Sequence, residues 1–285
     1  MNLPEHRPMP RRLFLGAAAS LIGAGGAAAK RKRIPIALEL YSVRDECKRD
    51  IKGTVRAVAK MGYDGVEFFA TYFDYSLEEL KELRKLLDDL GIRCFSTHNS
   101  AKFLTPELLP RAIEVNQILG NQQIIQASAP KIPTAKGWNE LAERLNAAAA
   151  KLKPLGMRVG YHNHDVEFRP VDGTIPWEIL AGNTTKDVIL QFDVGAAISA
   201  GADPIAWMKR YPGRTVTMHV KDYSPDPAKG FKVLTGEGVA PWKKIFKLAE
   251  KSGGLECYII EQEGSGYPPL ETVERCLKAM RKLRA

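Results

Sequence analysis

The sequence predicts an α/β protein that is built as a single (β/α)₈ barrel. Three observations predict it: eight short apolar runs rich in β-branched and aromatic residues, a helical pattern after each run, and no linker between repeats. The 285 residues suffice, since such barrels take about 250 residues as one domain. An open doubly wound sheet is disfavoured, because no Gly-x-Gly-x-x-Gly follows the first predicted strand.

The predicted strands are mostly uninterrupted apolar runs, as expected for parallel strands that are buried on both faces. They cover residues 36–41, 65–69, 93–98, 122–127, 158–164, 188–194, 215–221 and 257–263.

The helices between the strands are recognised by their spacing and by their end signals. Leu80, Leu83 and Leu87 recur at intervals of three and four residues, which places them on one helix face. Ser76 followed by Glu79 predicts a capping box at the start of this helix. Glycines that directly follow a helical pattern predict left-handed C-caps at positions 62, 91, 120 and 156.

Residues 1–29 have the three parts of a bacterial export signal and are set apart from the barrel domain at 30–285. Arg11 and Arg12 precede an uncharged stretch rich in Ala and Gly that ends in three alanines. Because this pattern resembles the twin-arginine signal, we expect the folded protein to be exported to the periplasm. We expect no stable membrane insertion after signal cleavage; the alternative is a retained N-terminal anchor.

The formal net charge of +9 is modest for this length, and no basic run is interleaved with aromatic residues. We therefore expect no nucleic-acid partner. The four cysteines show no Cys-x-x-Cys spacing, and Cys94 and Cys257 lie within apolar runs, which favours core positions. A disulfide between Cys47 and Cys276 stays open, because an oxidising compartment would permit one.

Polar side chains occur near the carboxyl end of every predicted strand, which is where barrel enzymes place their chemistry. Each one alone is better explained by a structural role, either as a hydrogen-bonded core residue or in an ion pair such as Glu67 with Lys221. Together they predict a polar site, because burying many charges is costly unless they pair or bind a cation. They are Glu39, Glu67, His98, Gln126, His162 with His164, Asp193, His219 with Lys221, and Glu261.

Three of these residues, Asp193, His219 and Glu261, close three successive predicted strands and are expected to face a common centre. Mixed carboxylate and imidazole ligands suit a divalent ion such as Mn²⁺, Mg²⁺, Co²⁺ or Zn²⁺. A bound cation of this kind would stabilise an enediolate by accepting the developing negative charge on oxygen.

From about residue 35 to the C-terminus the chain resembles the xylose isomerase-like TIM barrels that are often called sugar phosphate isomerases/epimerases. The resemblance implies metal ligands at Asp193, His219 and Glu261, after strands six to eight. Many members carry a Glu after strand five, where this chain has His162, so His162 is the implied fourth ligand. The segments that carry the resemblance are MGYDGVE at 61–67, YHNHD at 161–165, FDVG at 192–195, VTMHVKD at 216–222, GEG at 236–238 and IE at 260–261.

The resemblance also implies catalytic roles. Members that are epimerases use two glutamates as base and acid, and here only Glu261 matches. The second proton carrier stays open between Glu167, His162 and His164. Lys221 is expected either to stabilise the oxyanion or to pair with a barrel carboxylate.

Substrate contacts are expected from residues around the same barrel mouth. One of them lies in the segment 230–240, which we interpret either as a lid or as an ordinary surface loop. The expected substrate-binding residues are Glu67, His98, His164, Gln126 and Glu237.

The function expected first is metal-dependent isomerisation or epimerisation of a sugar or keto-sugar through proton abstraction next to a carbonyl. The alternative is a lyase that eliminates water or a glycosidic group, because the paired histidines are also similar to the inosose dehydratase branch; export favours this alternative. Nucleic-acid processing and a sugar binder that stacks its ligand on Tyr41, Phe69, Tyr72 or Trp177 are less favoured. A homo-oligomer is compatible with the sequence.

Overall fold

Eight parallel strands close into a barrel in this computed structural model, which describes residues 33–252 and 254–285. Each strand pairs with its sequence neighbours, and the first strand pairs with the last, so the predicted (β/α)₈ barrel is confirmed. The strands are β1 Ile36–Glu39, β2 Gly65–Phe68, β3 Arg93–Asn99, β4 Gln123–Gln126, β5 Arg158–His162, β6 Ile189–Asp193, β7 Thr217–Val220 and β8 Cys257–Ile260.

The helices that follow the strands surround the barrel, with two short helices between β6 and β7. They are α1 Arg44–Met61, α2 Leu77–Asp89, α3 Leu109–Leu119, α4 Ala135–Leu152, α5 Pro176–Asn183, α6 Val194–Ser199, α7 Pro204–Arg210, α8 Trp242–Ser252 and α9 Pro269–Arg284.

The predicted helix boundaries are confirmed by their capping geometry. The Ser76 hydroxyl accepts a hydrogen bond from the Glu79 amide, and the Glu79 carboxylate accepts one from the Ser76 amide. Glycines 62, 91, 120 and 156 all have positive φ angles, between 67° and 96°. Glycine adopts this left-handed conformation without strain, so each turns the chain from a helix toward the next strand.

The strand alternation divides the apolar residues into two layers. Ala37, Phe95, Cys257 and Ile259 form a small cluster of their own that fills the barrel interior. The opposite faces of the strands carry the main core, which packs against the helices. Inward-facing positions nearer the carboxyl ends of the strands are polar, and these residues form the site described below.

All cysteines are buried and free in the part of the chain that the structure describes, so Cys47 and Cys276 form no disulfide here. The predicted strands extend one to three residues too far at several carboxyl ends, because those residues already turn into the loops. The predicted export signal lies outside the described residues. Within them, no helix has the length and apolar character needed to cross a membrane.

Replacing Gly65 with Ala should destabilise the protein by about 1–3 kcal/mol, because the new methyl group would overpack the barrel wall. A Cβ at Gly65 would lie 2.1 Å from the Arg93 carbonyl oxygen and 2.6 Å from the Phe95 ring. Gly182 is the matched control, since a Cβ there meets nothing within 4 Å on helix α5. Urea unfolding of Gly65→Ala and Gly182→Ala measures both; equal stability of the two variants would contradict the barrel packing.

Candidate metal centre and active site

Four predicted ligands from four successive strands meet at the carboxyl end of the barrel. Each of His162, Asp193, His219 and Glu261 offers one donor atom, and these atoms all lie within 4.8 Å of one another. All four side chains are buried. The strand ends of β5 to β8 therefore bring together the set that the sequence predicted.

Asp193 is held by its place between β6 and α6. Its Oδ1 accepts a hydrogen bond of 2.7 Å from the Ala196 amide and so caps α6. Its Oδ2 is buried and has no hydrogen-bond partner among the described residues. One oxygen of Asp193 is thus fixed by the helix, and the other is left for a ligand that lies in the cluster.

The segment around Asp193 is packed too closely for larger residues. Asn163 accepts a hydrogen bond from the Asp193 amide at 2.9 Å and donates one to the Asp193 carbonyl at 3.2 Å, which ties the ends of β5 and β6 together. A Cβ at Gly195 would lie 2.6 Å from the Lys221 carbonyl oxygen. The start of α6 can therefore approach β7 only with glycine at this position.

The His219 imidazole lies between two carboxylates. Its Nδ1 is 2.7 Å from Glu261 Oε2, and its Nε2 is 2.8 Å from Glu67 Oε1. Burial alone would lower the pKa of His219, but the charges and hydrogen bonds of Glu67 and Glu261 raise it to about 10. Without a cation, His219 is thus an imidazolium that forms an ion pair with each of the two carboxylates.

Glu67 is a fully buried carboxylate with a complete set of donors. Ser96 Oγ and Gln191 Nε2 donate to its Oε2, the amide at 2.8 Å, and His98 Nε2 lies 3.1 Å from its Oε1. Burial raises the pKa of Glu67, but the nearby His98 and His219 outweigh burial and hold it below the ordinary value. Glu67 therefore stays ionised and orients His219 from behind, as outer carboxylates do for metal-binding histidines.

Gln191 sets the orientation of His162. Its Nε2 donates to Glu67 and to Thr217 Oγ1, so its Oε1 faces the histidines. His162 Nδ1 lies 3.0 Å from this oxygen and acts as the donor, which leaves its Nε2 unprotonated, 3.8 Å from Asp193 Oδ2. Burial and the neighbouring His219 and His98 hold the pKa of His162 well below its ordinary value. His162 is neutral, as metal ligation requires.

Lys221 forms an ion pair with a barrel carboxylate, which is one of the two roles expected for it from the sequence. Its Nζ lies 3.2 Å from Glu261 Oε1, contacts Glu263, and lies 4.9 Å from the centre of the Phe231 ring. Burial would raise the pKa of Glu261, but Lys221 and His219 outweigh it and hold the pKa well below the ordinary value. The predicted pairing of Lys221 with Glu67 is not formed, because Glu67 bonds to the histidines.

Glu39 is a site residue to which the sequence assigned no role. Both its oxygens are buried without a hydrogen-bond partner among the described residues, and the side chain lines the cavity at the barrel mouth. Burial and the neighbouring Glu67 raise the pKa of Glu39 well above its ordinary value. Glu39 is therefore a neutral carboxylic acid beside an ionised Glu261. The signal in the sequence that could have identified Glu39 as a site residue is its position at the end of β1.

The other predicted contacts divide into two groups. His98 and His164 line the cavity, although His164 lies beyond the end of β5 and is exposed. Gln126 has the same strand parity as the outward-facing Ile124, and its Nε2 donates to the Ser128 carbonyl at 2.9 Å. Neither Gln126 nor the exposed Glu237, which accepts a hydrogen bond from the Leu234 amide, lines this cavity.

Glu167 is also fixed away from the cavity. Its Oε1 accepts a hydrogen bond of 2.6 Å from the Tyr161 hydroxyl, and its Oε2 accepts one of 2.7 Å from the His164 amide. The side chain is buried. Glu167 thus shapes the loop that carries His164, and this role leaves it unsuited to carry protons to a substrate.

The donor set fits a divalent cation. Two imidazoles and two carboxylates converge, and one carboxylate oxygen, Asp193 Oδ2, is buried without a partner among the described residues. Nitrogen and oxygen ligands in this mixture suit Mn²⁺, Mg²⁺, Co²⁺ or Zn²⁺. A cavity of about 650 Å³ adjoins the cluster, so a small molecule can reach it.

In cation-free protein, the change Glu67→Gln should lower the pKa of His219 from about 10 toward its ordinary value. Gln keeps the hydrogen-bond acceptor but removes the negative charge that stabilises the imidazolium. NMR titration of the histidine ring protons measures the change, with Glu143→Gln on the exposed face of α4 as the control. A His219 pKa that Glu67→Gln leaves unaltered would refute the orienting contact.

Comparisons with known proteins agree with this barrel. Curated inosose dehydratases from Clostridium perfringens and Lacticaseibacillus casei are 27% and 28% identical over 164 and 142 residues, which is 51% and 44% of this chain. The alignments span 54% and 47% of those proteins, so the chain spans about half the length of the curated relatives it matches.

A solved sugar phosphate isomerase/epimerase from Parabacteroides distasonis superposes with a TM-score of 0.74 and 28% identity, over 90% of this chain and 98% of that one. A family model described as xylose isomerase-like TIM barrel matches residues 55–283, which contain seven of the eight strands and all four candidate ligands. On this evidence the chain belongs to the xylose isomerase-like TIM barrel family.

Proposed function

We propose that the protein is a carbohydrate enzyme that removes the proton next to the carbonyl group of a sugar or keto-sugar with the aid of a divalent cation. The observation that carries the proposal is the convergence of His162, Asp193, His219 and Glu261 in a buried cluster beside an open cavity. These four residues would hold the cation. When bound, it supplies positive charge where negative charge develops on the carbonyl oxygen.

Glu261 is the base. Its carboxylate lines the cavity and is ionised, because Lys221 and His219 hold its pKa low. A base of low pKa needs an acidified C–H, and positive charge at the carbonyl oxygen supplies that acidity. Lys221 remains paired with Glu261 Oε1 and orients it toward the cavity.

Glu39 is the acid. It is neutral and faces the cavity, and β1 and β8 are paired neighbours, so Glu39 and Glu261 approach a substrate from the same edge of the barrel. Two carboxyl groups whose environments push their pKa values apart form an acid–base pair. Two groups on the same edge of the barrel can reach two adjacent atoms of a substrate more readily than they can reach the opposite faces of one carbon.

This placement favours elimination. Glu261 takes the proton on the carbon next to the carbonyl, and the C–H electron pair forms the enolate double bond. The enolate then restores the carbonyl and expels the oxygen on the next carbon, which leaves as water or an alcohol after taking the proton of Glu39. The product is an unsaturated ketone, and no oxidant or reductant is needed. The inosose dehydratases among the relatives support this outcome.

Isomerisation or epimerisation, the outcome expected first from the sequence, is the second candidate. Its specific support is the solved sugar phosphate isomerase/epimerase that superposes over 90% of the chain. It shares the first step, but it needs a group that returns the proton to a different carbon, or to the opposite face of the same carbon. His164 is the cavity-lining imidazole with the freedom to do so, since it lies beyond β5 and is exposed. Periplasmic export stays a prediction from the sequence.

The purified protein should bind one divalent cation, with an affinity that rises with pH. The cation must displace the proton of His219, whose pKa is about 10, and below about pH 6 also that of Asp193, whose pKa burial raises to about 6. Affinity for Mn²⁺ should therefore rise roughly tenfold per pH unit between pH 6 and 10, and more steeply below. Competition with a chelator at several pH values measures it.

Asp193→Asn should weaken Mn²⁺ binding by about 100-fold or more, because it removes the charge of the unpartnered oxygen. The control is Asp187→Asn, which breaks only a surface ion pair with Lys153. Absence of stoichiometric metal at every pH, or equal affinities of the two variants, would refute the cation site.

Glu261→Gln should reduce substrate proton exchange about 10³-fold, because a neutral amide cannot accept the proton. NMR in heavy water follows the exchange on a panel of ketoses and keto-glycosides, with the exposed Glu143→Gln as the control. An isomerase incorporates deuterium at carbon in its product, whereas a lyase releases an unsaturated ketone. Glu39→Gln should preserve exchange and slow elimination about 100-fold. Normal exchange by Glu261→Gln would exclude Glu261 as the base.

A further inference from the structure

We propose that the cavity binds an uncharged glycoside, with the reacting ring at the metal cluster and the second ring or aglycone on an apolar wall, and that it discriminates against phosphorylated sugars. The proposal rests on the proposed function only for the position of the reacting ring. The wall, the charge of the lining and the volume of the cavity carry it independently.

The cavity lining contains a group of apolar residues, interspersed with the polar Glu39, His98, Asn99, Ser100 and Ser128. The candidate ligands come from β5 to β8, which are consecutive around the closed barrel. Most of the apolar lining residues follow β2 to β4, which lie across the barrel mouth from β6 to β8, and Tyr41 follows β1, next to β8. This wall consists of Tyr41, Phe69, Ala70, Ala101, Ala127, Ala129 and Pro130.

Tyr41 and Phe69 are the aromatic part of the wall. Their ring centres are 5.7 Å apart at an interplanar angle of 79°, and Tyr41 is 39% exposed. The Arg44 guanidinium lies 4.5 Å from the Tyr41 ring centre and holds this exposed ring in place. The other two aromatic residues that the sequence suggested for stacking, Tyr72 and Trp177, are 0% and 2% exposed and cannot contact a sugar.

The charge of the lining opposes a phosphate group. Among the described residues that line the cavity none is Lys or Arg, whereas Glu39, Glu261 and Glu263 are present. Lys221 lies next to the cavity, but its ammonium group is paired with both Glu261 and Glu263. The loops after strands seven and eight often bind phosphate in such barrels, and here Glu263 lies there instead. A dianion would be repelled by the carboxylates of Glu261 and Glu263.

The volume of the cavity suits a ligand larger than one sugar ring. At about 650 Å³ it lies within the range of roughly 300–1,000 Å³ that drug-sized ligands occupy. A monosaccharide at the metal cluster would leave the Tyr41 and Phe69 wall in contact with water. A glycoside contacts both the metal cluster and the wall. Its glycosidic oxygen then lies between these two surfaces, where an expelled group would depart.

The test measures binding rather than turnover, with the full-length protein loaded with Mn²⁺. Titration calorimetry compares three unoxidised probes: phenyl β-D-glucoside, methyl β-D-glucoside and D-glucose 6-phosphate. We expect the phenyl glucoside to bind about tenfold more tightly than the methyl glucoside, through contact with the aromatic wall. We expect glucose 6-phosphate to bind at least about tenfold more weakly than the methyl glucoside.

Substitutions in the wall locate the preference. Tyr41→Ala and Phe69→Ala should each remove most of the preference for the phenyl group, and Tyr41→Phe should retain it. Tyr267→Ala is the control, because Tyr267 is 44% exposed and lies outside this cavity. Circular dichroism confirms that each variant is folded. A phenyl preference that survives both alanine substitutions would overturn the proposal.

Two further results would also overturn it: glucose 6-phosphate binding as tightly as the phenyl glucoside, or no binding of the phenyl glucoside at millimolar concentration. Loss of phosphate binding in Arg44→Ala would then identify Arg44 as the phosphate contact. The outcomes distinguish a failure of this proposal from a failure of the proposed function. Glycoside binding without proton exchange on any ketose or keto-glycoside of the panel refutes the enzyme and retains the wall, whereas exchange on a sugar phosphate without glycoside binding does the reverse.

Discussion

The hydrogen bond between Glu67 and His219 is the interaction on which the site depends. It joins β2 to β7 across the barrel interior and places a negative charge behind an imidazole that is completely buried. Without that partner, the contact with Glu261 alone would orient the buried His219 and balance its charge. Gln191 extends the same network to His162, so the positions of two candidate ligands follow from one buried carboxylate.

The fold was predictable because its signals are local and repeated. Apolar runs, leucine spacing and glycine caps each report on a few neighbouring residues, and eight repeats leave closure as the favoured arrangement. Asp193, His219 and Glu261 were predictable because each lies at or next to the carboxyl end of a strand, and parallel strand ends meet at one rim. The family resemblance added His162. Which face of a strand a polar residue occupies was harder to predict. Gln126 ends β4 and so carries the same signal as the others, but it lies on the outward face of that strand together with Ile124.

Residues that act through neighbours gave weaker signals. Gln191 is an ordinary polar residue in an apolar strand, and only its contacts with Glu67 and two histidines show its importance. Glu39 looked like one more polar strand end. Its distinguishing property is that neither oxygen has a hydrogen-bond partner among the described residues, which depends on every surrounding side chain. Conversely Glu167, an attractive second carboxylate in the sequence, is held by Tyr161 and the His164 backbone.

The close approach of α6 to β7 at Gly195 links the backbone to the chemistry. Any side chain there would press on the Lys221 carbonyl group and push the helix outward, and Asp193, as the cap of that helix, would move with it. A single added methyl group at Gly195 would therefore change the distance between the Asp193 carboxylate and the His219 imidazole. The spacing of these two candidate ligands is in that sense set by a hydrogen atom on the Gly195 Cα.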